Sequence, residues 1–120
     1  MTAEDRLQIN VAELLDNLAI SWGFMWFHVP NQRSMGTTVG VVMKLLRMGM
    51  KKGNPDCHIV RNGSKTFHIE LKTETGRLSK AQKEWRERDS RLNIPYYLCR
   101  SLDDVIHVLE KEFNRKVEGA

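Results

Sequence analysis

The chain has 120 residues, 41% hydrophobic and 28% charged, with a net charge of +4. That length fits one domain, residues 1–120, with a real but limited core. No stretch approaches the roughly 18 apolar residues of a membrane span, and Glu4 and Asp5 precede the first apolar residues, unlike a signal peptide. The expectation is a protein without a membrane partner, cytoplasmic or nuclear rather than secreted. Cys57 and Cys99 make no disulfide framework and read as reduced core thiols. Charge is uneven: Lys44 to Arg91 holds thirteen Lys/Arg against six Asp/Glu, a balance of +7, and the remainder six against nine, a balance of −3. A basic centre points to a polyanion, although a solvated surface explains it as readily.

Thr2 caps a helix running to about Ala19, with Leu7, Val11, Leu14, Leu15 and Leu18 at helical spacing. Phe24 to Val29 is a short aromatic strand ended by Pro30, and a loop covers 31–37. Val39, Val42, Met43 and Leu46 mark a second, shorter helix. Strands near Asp56–Val60 and Thr66–Thr73 flank a turn around Asn62-Gly63. Ser79 opens a helix to about Leu92, with Ala81, Trp85 and Leu92 inward. Tyr96 to Arg100 is a further strand, and Ser101 caps a last helix with Leu102, Val105, Leu109 and Phe113 on one face. The order α-β-α-β-β-α-β-α predicts an α/β fold, a mixed central sheet flanked by helices.

Within the second hairpin strand, Phe67, Ile69 and Leu71 point one way and His68, Glu70 and Lys72 the other. Whether Asp56 joins the polar face depends on register. A two-residue Asn62-Gly63 turn pairs Asp56 with Ile69, on the wrong side. A three-residue loop, or a bulge beside Asp56, restores it: Arg61-Asn62-Gly63 sets it opposite His68, and Asn62-Gly63-Ser64 opposite Glu70.

Two carboxylates on one face of adjacent strands repel unless a cation lies between them. Hard oxygen ligands suit Mg²⁺ or Mn²⁺, and the Leu71 carbonyl offers another oxygen. A lysine two residues past the glutamate can hold a water or a phosphate oxygen. Together these are the parts needed for phosphodiester hydrolysis. A bare Glu-x-Lys is far more often a solvated ion pair; the Pro-Asp at hairpin distance, the basic surroundings and the following helix favour the site.

Asn54-Pro55-Asp56, then Glu70-Leu71-Lys72 fourteen residues beyond the aspartate, resembles the PD-(D/E)XK nuclease superfamily. The longer run through "TETGRLSKAQKEW" and "IPYYLCRSLDDVIHVL" is similar to the VRR-NUC (virus-type replication-repair nuclease) domain, from about Glu4 to Phe113. That resemblance implies a restriction-endonuclease-like core, with Asp56, Glu70 and the Leu71 carbonyl as ligands of Mg²⁺ or Mn²⁺. Lys72 would be the catalytic lysine, and Gln82 would position water or phosphate. The first-helix acid would be Glu4, with Glu13 as the alternative. The resemblance also implies a homodimeric DNA endonuclease acting on branched DNA, Holliday-junction or flap-like, in repair, recombination or phage replication. Asn54 departs from the aliphatic or Thr residue usual there, without threatening a role.

Other residues carry two readings. Ser79 to Gln82 is also a capping box, in which Gln82 bonds only the helix start. Lys51, Lys52, Arg77 and Lys80 would grip DNA phosphates or simply be solvated, as would Lys83 and Arg86. His28, His58 and His68 lack zinc-finger spacing with the cysteines. Trp22, Trp26 and Trp85 suit the core better than base stacking. Asn31, Gln32 and Arg33 sit in a loop of a kind that can touch nucleic acid. Against the enzyme stand a catalytically silent nucleic-acid-binding module and a structural scaffold.

Overall fold

The structure, a computed structural model, describes residues 1–30 and 38–119. Asn31, Gln32 and Arg33 therefore lie outside the described residues. Helix α1 (Ala3–Trp22) starts where Thr2 and Asp5 form a reciprocal capping box and stops at Gly23, whose left-handed φ of 76° an L side chain would resist. Strand β1 (Phe24–His28) follows, then α2 (Val39–Arg47), capped by the Thr38 hydroxyl. Strands β2 (Cys57–Arg61) and β3 (Lys65–Leu71) form the hairpin; α3 (Lys80–Arg91), β4 (Tyr96–Cys99) and α4 (Leu102–Phe113) complete the chain. The observed order is the expected one, with boundaries moved by one to three residues.

The strands form one sheet in the order β1-β2-β3-β4. The β1–β2 and β2–β3 pairs are antiparallel; β3 and β4 are parallel, joined through α3 as a parallel pair requires. Strand β3 is central and has helices over both faces, so Phe67 to Leu71 are all buried. On one face Cys57, Ile59, Phe67, Ile69, Leu71 and Cys99 pack against Val11 and Leu15 of α1 and Val105 and Leu109 of α4. Each Val, Leu, Ile or Phe side chain among them, taken fully from water, contributes roughly 1.5–3 kcal/mol.

The opposite face is polar, and α3 covers it differently from the apolar expectation. Leu92 is 68% exposed, and the helix buries Gln82 and Asp89 instead. The reason lies beneath it: β2 and β3 present His58, His68 and Glu70 there, and a polar surface calls for polar partners. Asp89 Oδ2 accepts from His68 Nδ1 at 2.5 Å, while Trp85 meets the His58 and His68 rings edge-on.

Candidate active site

The hairpin ladder pairs Arg61 with Lys65 and Cys57 with Ile69, leaving Asn62-Gly63-Ser64 as the loop. Gly63 and Ser64 take left-handed φ values of 75° and 59°. Extending this register by one residue sets Asp56 opposite Glu70. Of the turns considered from sequence, this is the one that juxtaposes the two acids directly.

Asp56 is fixed at both ends. His28 Nδ1 donates to its carbonyl at 2.8 Å, and its Oδ2 accepts the Leu71 N–H at 2.7 Å. A strand residue directs its N–H and C=O to the same side, so the Leu71 carbonyl also faces the Asp56 edge of β3. Asn54 braces the preceding turn, donating to the Lys51 carbonyl at 3.0 Å and accepting from His58 Nε2 at 3.2 Å. Burial and the neighbouring His68 and His28 push the His58 pKa down to about 4, which keeps this ring neutral.

Glu70 is 2% exposed, and its Oε1 is buried without a hydrogen-bond partner among the described residues. Burial, a hydrogen bond with Asp56 and the Asp56 charge hold its carboxyl far above the usual carboxylate range, with Glu4 adding to the push and Lys72 opposing it. Two facing carboxylates, Glu70 buried and Asp56 half-buried, repel each other unless a cation lies between them. An orphaned acceptor beside a second acid, with a carbonyl on the same edge, fits a hard divalent ion. Glu4 stands exposed on the first turn of α1; Glu13 is exposed further along it. Among the described residues, no three His, Cys, Asp or Glu side chains form a metal-holding cluster.

Lys72 is the first residue past β3, half-buried, its N–H bound to the Cys99 carbonyl at 3.0 Å. Its stem runs beside Gly76, where an added Cβ would lie 3.4 Å from its Cδ. Gln82 forms the capping box: Oε1 accepts from Ser79 N at 2.8 Å, and its own N–H donates to Ser79 Oγ at 3.2 Å. That leaves the Nε2 amine to donate elsewhere.

Gly53 ties this helix start to the Asp56 turn. It has a φ of 74°, and a Cβ there would meet the Ala81 carbonyl group at 2.5 Å and Gln82 N at 2.8 Å. The turn carrying exposed Lys51 and Lys52 thereby abuts the start of α3, the helix that exposed Lys80 opens; Arg77, also exposed, precedes that helix.

Sequence reasoning missed two features. Arg100 Nη1 donates to the carbonyls of Thr73 at 2.7 Å and Gly76 at 2.6 Å, clamping the loop that follows Lys72. The buried His68–Asp89 pair fastens α3 over the site. Neither spacing resembles a motif, so a fold was needed to reveal them.

A mixed sheet offering Pro-Asp on one hairpin arm and Glu-x-Lys on the other, with a glutamine-bearing helix beside them, defines a PD-(D/E)XK nuclease-like domain. The sequence model of the VRR-NUC domain matches residues 4–103, so this chain belongs to the VRR-NUC family, a family of nucleases. A solved structure described as a VRR_NUC domain protein superposes with a TM-score of 0.74, covering 97% of this chain and 92% of that one, at 22% identity. At that identity the likeness speaks for the fold. No curated protein matches. Among the described residues, no helix is long and apolar enough to cross a membrane.

Proposed function

We propose that this chain is a divalent-metal-dependent DNA endonuclease selective for branched substrates, acting as a homodimer. One observation supports the reading above the others: Glu70, buried and facing Asp56, has an oxygen without a partner among the described residues. Asp56, Glu70 and the Leu71 carbonyl would hold Mg²⁺ or Mn²⁺, which when bound would acidify a water and offset phosphate charge. Glu4 would act from further out, consistent with its exposure.

The chain's own groups do the rest. The Leu71 N–H holds the Asp56 carboxylate in place, so it does not reorganise when substrate arrives. Lys72 offers an ammonium to the attacking water or a phosphate oxygen, in a position braced by the Arg100 clamp. Gln82 Nε2 can donate to phosphate or water from the helix start, while its oxygen keeps the cap. Lys51, Lys52, Arg77 and Lys80 would contact flanking phosphates, giving affinity that falls with salt.

Binding without cleavage is the second reading, favoured by the meeting of only two carboxylates where a fuller acidic set is absent among the described residues. A panel of four-way junction, flap, duplex and single-stranded DNA, with Mg²⁺ or Mn²⁺, separates the two. Cleavage of branched DNA that disappears in Glu70→Ala supports the enzyme. Affinity with no cleavage of any substrate in either metal supports the binding module.

A further inference from the structure

Strand β4 contributes a residue to the polar face that the metal-site reading leaves unused. The parallel β3–β4 register pairs Tyr96 with His68 and Leu98 with Glu70. Paired residues share a face, so Tyr96 projects under α3 beside His68 and one step from Glu70. Its hydroxyl is buried and, like Glu70 Oε1, has no hydrogen-bond partner among the described residues. Burial, then the charges of Glu70 and Asp56, hold the phenol above its ordinary range, with Arg86 opposing and Asp89 adding to the push. The phenol is therefore neutral and available as a donor. Buried polar groups are nearly always satisfied, by protein or by ordered water. Here a donor and an acceptor lie on one sheet face under one helix, each without a protein partner among the described residues.

We propose that Tyr96 is a positioning residue for Glu70, its hydroxyl donating through one buried water to the carboxylate oxygen that no protein group reaches among the described residues. The proposal rests on the metal-site reading above. A carboxylate oxygen has two lone-pair sites; a water held on one fixes how the other is offered to the ion. Outer partners of this kind typically set metal affinity by about 10- to 100-fold. Tyr96 thereby joins β4 to a site otherwise built by β2, β3 and α3.

The test is Mn²⁺ titration without DNA, with free ion read by electron paramagnetic resonance, on the wild-type chain, Tyr96→Phe and Glu70→Ala. The isosteric Tyr96→Phe should keep its circular dichroism spectrum and thermal midpoint while binding Mn²⁺ about 10- to 100-fold more weakly. Wild-type affinity in Tyr96→Phe, with a raised midpoint from losing an orphaned hydroxyl, would overturn the proposal. If the wild-type chain binds no Mn²⁺, or Glu70→Ala binds it as well as wild type, the metal-site reading itself fails, and this proposal with it.

Discussion

Asp56 Oδ2 receives the Leu71 N–H at 2.7 Å, so the acid of one hairpin arm is bonded to the residue that follows the acid of the other. This bond carries the strand pairing past the last ladder pair, Cys57 with Ile69, and holds both carboxylates on one side. It separates two substitutions. Asp56→Asn keeps an oxygen to accept that N–H and should unfold within about 1 kcal/mol of wild type. Asp56→Ala leaves a buried donor unsatisfied and should lose about 1–3 kcal/mol in urea denaturation. Both should lose cleavage, since each removes the charge.

Lys72→Ala should slow cleavage by about 10²–10³-fold, the scale for loss of one preorganised electrostatic group. Mn²⁺ affinity should be largely retained. Single-turnover rates at saturating metal give the comparison; a wild-type rate would show that the ammonium has no part in the reaction.

Stability of the metal-free protein should depend on pH through Glu70. Its folded pKa lies far above the ordinary 4.5, so above pH 4.5 the folded state retains a proton that the unfolded chain has released. Stability contributed by this group is thus full below pH 4.5 and is lost as pH rises through the raised folded value. Glu70→Gln should be less sensitive to pH over that window in thermal melts, and saturating Mg²⁺ should oppose the loss in wild type only. Identical pH profiles for the two proteins would contradict the assignment.

Gly53 and Gly63 make a matched pair, both with φ near +75°. Around Gly63 a Cβ meets nothing within 4 Å among the described residues, and Gly63→Ala should cost only the left-handed strain, about 1–2 kcal/mol. At Gly53 the same Cβ would stand 2.5 Å from the Ala81 backbone, so Gly53→Ala should cost about 2–5 kcal/mol. It should also impair cleavage, by prying the Asp56 turn from the Gln82 end of α3. Chemical denaturation and cleavage rates on both variants check this.

Much of the fold was legible because periodicity and caps agree. Thr2, Ser79 and Ser101 each bond the helix start that follows them, and the alternation in β3 divides Phe67, Ile69 and Leu71 from His68 and Glu70. Register was only half legible: Asn62-Gly63 suits more than one loop, and the sequence alone cannot choose between them. The role of α3 was misread from its apolar residues. Leu92 is solvent-facing while Asp89 is buried, because the partner of Asp89 is His68, twenty-one residues away on another element. Arg100 and Tyr96 were invisible for the same reason, since a backbone clamp and a shared sheet face depend on pairing between distant segments.

The central claim is that Asp56 and Glu70 share one divalent ion. Anomalous diffraction from crystals soaked in Mn²⁺ tests it most directly. A single strong peak within ligand distance of both carboxylates, absent in Glu70→Ala crystals, is the result expected. Manganese bound elsewhere on the chain, with this acid pair vacant, would contradict it.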